Sequence, residues 1–232
     1  MRILEIWRYP IKSVGGERLE MAEVGDTGIA HDRGWGLVDD VTGNVLTARR
    51  EPRLLFGSAR VVDGQPVVTL ESGAELSTST DFSEWLDRPV TLASAAGAEG
   101  GTYEVPLDFE NDAEWVSWQG PADAWHDSRV SRVSLVSTTT LGDWDVRRFR
   151  PNLVVDGAGE DGFVGTEIAV GGCRLAVGKQ IDRCVIVTRP QPGLDRDLDV
   201  LRTINADRGS NLAIGALVAE SGTIRVGDEV TA

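Results

Sequence analysis

Lysine is almost missing from this chain: of 232 residues only Lys12 and Lys179 carry an ammonium group. Positive charge is therefore nearly all arginine, whose flat guanidinium offers paired donors suited to phosphate and carboxylate. Basic charge is scarce as a whole, with 23 Lys+Arg against 37 Asp+Glu and a formal net charge of −14. That balance argues against a nucleic-acid partner, because a phosphate backbone demands a basic surface. Cysteine is limited to Cys173 and Cys184, and histidine to His31 and His126. Two cysteines make no disulfide framework, and without a second close pair they make no zinc site. No apolar run is long enough to span a bilayer, and the N-terminal MRILEIWRYPIKS has no signal-peptide core. The expectation is a cytoplasmic protein with no membrane partner. A Gly-x-Ser-x-Gly elbow, a Gly-rich phosphate loop and a dinucleotide fingerprint are all lacking, so those chemistries have no support.

What is present is a globular composition. Hydrophobic residues make up 41% and charged residues 26%, ample for a core and unlike a disordered chain. The 27 glycines and 9 prolines imply many turns. Residues 2–9 alternate in the manner of a strand, and residues 18–24 read as a second. Residues 34–38 and 45–48 read as a hairpin around Gly43. Residues 54–62 and 66–70 read as another around Asp63-Gly64. Residues 81–86 read as a helix capped by Ser79 or Thr80. Residues 93–101 read as a loop or seam, and residues 103–127 carry no assignment. Residues 130–136 read as a strand. Residues 138–149 then read as a helix capped by Thr138 or Thr139. A strand over 153–155 and a hairpin through Gly171-Gly172 follow. Residues 184–188 read as a strand beginning at the cysteine, and 198–204 as a short helix. A last hairpin pairs 212–219 with 222–230. Strands dominate and connections are short, so the fold class is mainly β: a closed or partly closed antiparallel barrel with few helices.

Several residue groups could carry chemistry. Cys184 stands between a polar turn and an apolar run, with Arg183 beside it. A thiolate so placed serves as nucleophile or soft metal ligand; an inert buried cysteine is the competing reading. Cys173, after a hairpin turn with period-2 apolar neighbours, reads as core. Pro10 ends the first strand and throws Lys12 and Ser13 into a loop, one charge and one hydroxyl for an anion. Arg33 in His31-Asp32-Arg33-Gly34-Trp35 and Arg150 in Arg150-Pro151-Asn152 each put a guanidinium at a strand end. With Lys12 they could ring a phosphate-bearing ligand, or simply be solvated.

Together these motifs resemble the MOSC family, named for the C-terminal domain of molybdenum cofactor sulfurases. Tyr9-Pro10-Ile11-Lys12-Ser13, Asp32-Arg33-Gly34-Trp35 and the run Leu46-Thr47-Ala48-Arg49-Arg50-Glu51-Pro52-Arg53-Leu54 are similar to the N-terminal β-barrel-like domain, placed at residues 1–95. Phe149-Arg150-Pro151-Asn152, Arg183-Cys184 and Gly222-Thr223-Ile224-Arg225-Val226-Gly227-Asp228 are similar to the MOSC domain, placed at 96–232. The resemblance, which extends to the amidoxime-reducing members of the family, implies a molybdenum cofactor (molybdopterin) with Cys184 as metal ligand and catalytic residue. It implies Lys12, Ser13, Arg33, Arg150 and Asn152 around the cofactor, with Arg183 beside the cysteine and Thr138 and Thr139 as further hydrogen-bonding groups at a helix start. The implied activity is reduction of N-hydroxylated or related small substrates, with electrons from a separate flavin or iron–sulfur reductase, since no such motif is visible here. The alternatives are sulfur transfer through a Cys184 persulfide fed by a sulfur donor, and a non-catalytic cofactor delivery module. The chain departs from the family pattern at Val187-Thr188-Arg189-Pro190-Gln191-Pro192-Gly193, where two threonines and an Asp-Pro turn are usual. It departs again at Gly162-Phe163-Val164-Gly165-Thr166, where an acidic-tryptophan motif is usual.

Overall fold

A computed structural model describes residues 1–108 and 111–232. In the first half, β1 (Ile3–Arg8), β2 (Glu17–Leu19), β3 (Met21–Gly25), β4 (Gly28–Ile29) and β5 (Trp35–Asp39) precede a 3-10 turn, Pro52–Phe56. Next come β6 (Gly57–Val62), β7 (Gln65–Leu70), β8 (Glu75–Leu76), α1 (Ser79–Leu86), β9 (Val90–Ser94), β10 (Thr102–Asp108) and β11 (Asn111–Gln119). The second half holds β12 (Val133–Ser137), α2 (Thr138–Leu141), β13 (Leu153–Val155), β14 (Glu167–Val170) and β15 (Cys173–Asp182). It ends with α3 (Leu198–Arg208), β16 (Asn211–Glu220), β17 (Gly222–Arg225) and β18 (Val230–Thr231). The mainly β class is as the pattern predicts.

The largest sheet has eight strands in the order β18-β14-β15-β16-β12-β13-β1-β2. No ladder joins its two ends among the described residues, so the barrel is not closed. A bridge between Arg2 and Glu229, with the Val230 N–H donating to the Met1 carbonyl at 2.8 Å, draws the chain's start toward β18. The sheet is also mixed, because β12 and β13 run parallel. Ile3, Ile6, Leu135, Leu153, Leu175 and Ile214 fill its concave side. A second core over Ile11, Leu37, Leu54, Val68, Phe82 and Leu86 supports the first half. Hydrogen bonding crosses the expected seam at 95/96: β1 pairs with β13 and β3 with β17.

Several local expectations are corrected. Residues 138–149 are not one helix. The helix stops at Leu141 because Gly142 turns to φ 57°, and Asp145 then caps a separate 3-10 turn, Val146–Arg148. Residues 184–188 are not a strand; Cys184 is the N-cap of a 3-10 turn, Val185–Thr188. Residues 45–48 return on β5 only through the bridge Val38–Val45, and β9 is the strand that pairs with β5. The last two strands form no hairpin with each other: β16 pairs with β12 and β15, while β17 pairs with β3. Residues 18–24 divide into β2 and β3. The stretch 103–127 holds the hairpin β10–β11; its residues 109 and 110 lie outside the described residues. The cap of α1 is Thr78, in a reciprocal capping box with Asp81.

Asn152 ties three strands together where the site begins. Its Oδ1 accepts from the Ser134 N–H and hydroxyl, both at 3.1 Å, and its Nδ2 donates to the Trp7 carbonyl at 3.2 Å. The side chain is only 1% exposed. Removing it strands buried polar groups, which costs about 1–3 kcal/mol. Asn152→Ala is expected to lower the unfolding free energy by that amount in urea denaturation; a loss under about 0.5 kcal/mol, the size of an ordinary surface change, would show that the three strands do not rely on it.

Candidate functional site

The geometry starts at the end of β1. Pro10 cannot donate to a ladder, and the chain leaves the sheet there. The Tyr9 N–H is taken by Asp32 Oδ1 at 2.8 Å, while the Arg33 N–H donates to the Tyr9 carbonyl at 2.8 Å and the Lys12 N–H to the Trp35 carbonyl at 2.9 Å. Residues 9–12 and 33–35 thus lie side by side, which brings Lys12, Ser13 and Arg33 to one wall. Ser13, Arg33 and Arg150 all have left-handed backbone, at φ 66°, 50° and 54°. For residues with a Cβ this conformation costs about 1–3 kcal/mol each, strain that tends to gather where side-chain placement matters most.

The opposite wall comes from the second half. A cavity of about 390 Å³ is lined by Lys12, Ser13, Arg33, Arg150, Arg183 and Cys184, and by Asn152 at its base. Arg33 donates to Asp32 Oδ2 at 2.5 Å and to the Arg150 carbonyl at 3.1 Å. Arg150 donates to the Val14 carbonyl at 2.5 Å. The two guanidiniums lie over the Tyr9 ring, at 4.6 and 4.4 Å from its centre, so the halves are clamped through this aromatic. Burial brings the Arg150 and Arg183 guanidiniums down to about 10, and neighbouring Arg33 adds to the effect. Arg183 spends its donors on the carbonyls of Leu212 and Phe149. It therefore fixes the chain at Cys184 and does not reach for a ligand.

Cys184 is half-buried at the rim. Its Sγ receives a hydrogen bond from Arg49 Nη2 at 3.4 Å. A guanidinium in that position stabilises negative charge on sulfur, the state in which a cysteine attacks or ligates. The loop beyond is fixed by Arg148, which donates to the carbonyls of Val187, Arg189 and Asp195. Cys173 lies in the core as expected, its Sγ against the Val170 carbonyl at 3.2 Å, and burial pushes its thiol up to about 11.

Seven of the nine residues expected at the site thus converge. Thr138 and Thr139 do not. Both are exposed and neither lines the cavity. The cavity opens at the β12 start, near Ser131, Arg132 and Ser134, whereas α2 begins beyond the other end of that strand. Two contributors escaped the sequence reading. Arg49 lies inside a motif quoted above, but its contact with Cys184 spans 135 positions. Asp127 comes from the unassigned stretch and accepts from Lys12 Nζ at 2.8 Å, with Arg49 at 3.9 Å. Burial acts to raise the Asp127 carboxyl, and the charges of Lys12, Arg49 and Arg33 outweigh it and hold the group well below the usual range. Burial lowers Lys12, and Asp127 opposes that. His126 also lines the cavity; burial first, then Arg33, Arg132 and Lys12, keep its imidazole neutral.

A bare metal ion has no cage here: among the described residues there is no group of three His, Cys, Asp or Glu that could hold one. One soft sulfur with several cations around it suits a metal that arrives on an anionic organic ligand supplying the other donors. A molybdenum–pterin group, which the MOSC resemblance implies, is of this kind.

Residues 1–116 match the MOSC N-terminal beta barrel domain and residues 122–231 match the MOSC domain. The chain belongs to the MOSC family. It is 26% identical to mitochondrial amidoxime-reducing component 1 of Mus musculus, over 98% of this chain and 81% of that protein. It is 22% identical to molybdenum cofactor sulfurase of Danio rerio, over 94% of this chain but 32% of that longer protein. Among solved structures, the YuaD protein from Bacillus subtilis aligns over 99% of this chain and 93% of its own, with a TM-score of 0.45 at 10% identity.

The Asp127 carboxyl gives a pH signature. Its folded value is depressed, so its contribution is complete above the ordinary carboxylate value of about 3.9 and is lost as pH falls through the lower folded value. Because its side chain faces water at the cavity mouth, the effect is screened and modest. Urea midpoints followed from pH 5 to pH 2 are expected to fall less steeply in Asp127→Asn than in the parent; parallel curves would mean that the pair with Lys12 does not form.

Proposed function

We propose that this MOSC protein binds a molybdenum cofactor in the cavity between its halves and reduces N-hydroxylated or related small molecules. The observation that carries the reading is Cys184 Sγ, hydrogen-bonded by Arg49, at the rim of a cavity ringed by Lys12, Arg33 and Arg150. On this reading residues 1–95 and 96–232 act as two units whose seam is the binding site.

Each residue has a distinct task. Lys12, Ser13, Arg33 and Arg150 hold the anionic part of the cofactor, paired donors and point charge together. Asn152 keeps the strand ends in register beneath it. Cys184 would be the residue that ligates the metal. Arg49 hydrogen-bonds the sulfur, and Arg183 and Arg148 fix the backbone on either side. When bound, the molybdenum supplies the redox chemistry, which the polypeptide orients and tunes. Reduction of an N–OH group takes two electrons and two protons and releases water. The chain shows no flavin or iron–sulfur motif, so the electrons come from a partner reductase.

The amidoxime-reducing relatives matched over most of their length support this reading at low identity. Sulfur transfer is the second reading, favoured by the half-exposed Cys184 thiol and by the match to a molybdenum cofactor sulfurase. Protein made in cells that synthesise molybdopterin is expected to retain molybdenum and to reduce benzamidoxime with a suitable electron donor. Cys184→Ser is expected to lose that activity by a factor of at least about 100, in line with loss of a group that acts only in the reaction. Full activity in the variant would reject the assignment. A one-sulfur mass increase on Cys184 with no retained molybdenum would favour sulfur transfer instead.

A further inference from the structure

A second cavity, of about 270 Å³, adjoins the first and shares only Leu55 and Arg150 with it. Cys184 is not part of its lining. Its character differs. Trp7, Leu55, Phe56 and Leu70 give it apolar walls, and the Trp7 and Tyr9 rings stack nearly parallel, 6.1 Å apart at 13°. Another part of the lining is Gln191 and Pro192, from the segment after Cys184 where the chain departs from the family pattern. That part is fixed. Arg147 donates to the Pro192 carbonyl at 2.9 Å, and Asp145 holds the same guanidinium through two oxygens, at 2.9 and 2.8 Å.

The size and polarity of the space restrict what fits. A dry cavity of about 150 Å³ accommodates benzene, so this one has room for a substituted ring or a fused pair. An aromatic lining favours a flat aromatic guest. Arg147 is spent on Asp145 and Pro192. Arg150 donates one hydrogen bond, to Val14, and no other from its guanidinium is formed among the described residues. Its remaining N–H groups suit an oxygen acceptor on the guest. Glu71 at the mouth is exposed, so water and salt screen its charge.

We propose that this second cavity binds a small, flat aromatic molecule bearing an oxygen acceptor, of the aromatic carboxylate class. The ring lies beside Trp7 and the oxygen on Arg150. The site exists in the polypeptide itself and needs no bound molybdenum, although it shares Arg150 with the first cavity.

The test uses the full chain labelled with 5-fluorotryptophan at its seven tryptophans, with the Trp7 resonance assigned through Trp7→Phe. Benzoate is the probe. The Trp7 fluorine signal is expected to shift saturably with benzoate. Cyclohexanecarboxylate is expected to bind several-fold more weakly, consistent with the ring–ring contribution. Leu70→Trp, which fills the space, is expected to weaken benzoate at least about tenfold. Should that variant fail to fold, magnetisation transfer from benzoate protons to the Leu55 and Leu70 methyl groups of the parent decides. No saturable shift, or an undiminished shift in folded Leu70→Trp, would overturn the proposal. Cys184→Ser is expected to bind benzoate normally, so failure of the molybdenum reading and failure of this site are told apart.

Discussion

Gathering like charges in one place is costly, and this chain, of net charge −14 overall, gathers Lys12, Arg33, Arg49, Arg150 and Arg183 around a single cavity. The structure bears that repulsion by giving each cation a local partner. Arg33 has Asp32, Lys12 has Asp127, Arg183 has two backbone carbonyls, and Arg150 and Arg33 share the face of Tyr9. The partners are of unequal strength. Backbone carbonyls and a ring face leave a guanidinium still short of negative charge, and an exposed Asp127 is a replaceable counter-ion. The cavity therefore has a built-in appetite for an anion, and Cys184 stands at its edge.

The same constraint explains the architecture. Neither half alone holds enough of the site. Lys12, Ser13, Arg33 and Arg49 come from the first half; Arg150, Asn152, Arg183 and Cys184 come from the second. The pairing of β1 with β13, the Asn152 hydrogen bonds and the contacts of Arg33 and Arg150 with the Tyr9 ring tie the two halves together. Left-handed backbone at Ser13, Arg33 and Arg150 is tolerated because the pairing on either side leaves those side chains no other direction.

Much of this was legible in the sequence. Asp63-Gly64 and Gly171-Gly172 marked their hairpins because turn chemistry is local. Lys12, Arg33, Arg150 and Cys184 stood out as reactive types at strand ends. What failed was decided by distant contacts or by a competing local signal. Gly142 and Asp145 cut short a stretch whose apolar spacing looked helical throughout. The apolar run after Cys184 looked like a strand, yet Arg148 gathers its carbonyls into a 3-10 turn. The pairing of β17 with β3 spans about 200 positions and leaves no local trace. Arg49 and Asp127 were missed for the same reason: their partners are far away in sequence, and an arginine in a turn or an aspartate in an acidic stretch looks like surface until the fold brings it home.

The central claim is a bond between one sulfur and one metal. Molybdenum K-edge X-ray absorption on the cofactor-loaded protein measures it directly. The account predicts that replacing Cys184 by serine removes one sulfur scatterer from the metal's first coordination sphere. Identical spectra from the parent and the variant would contradict it.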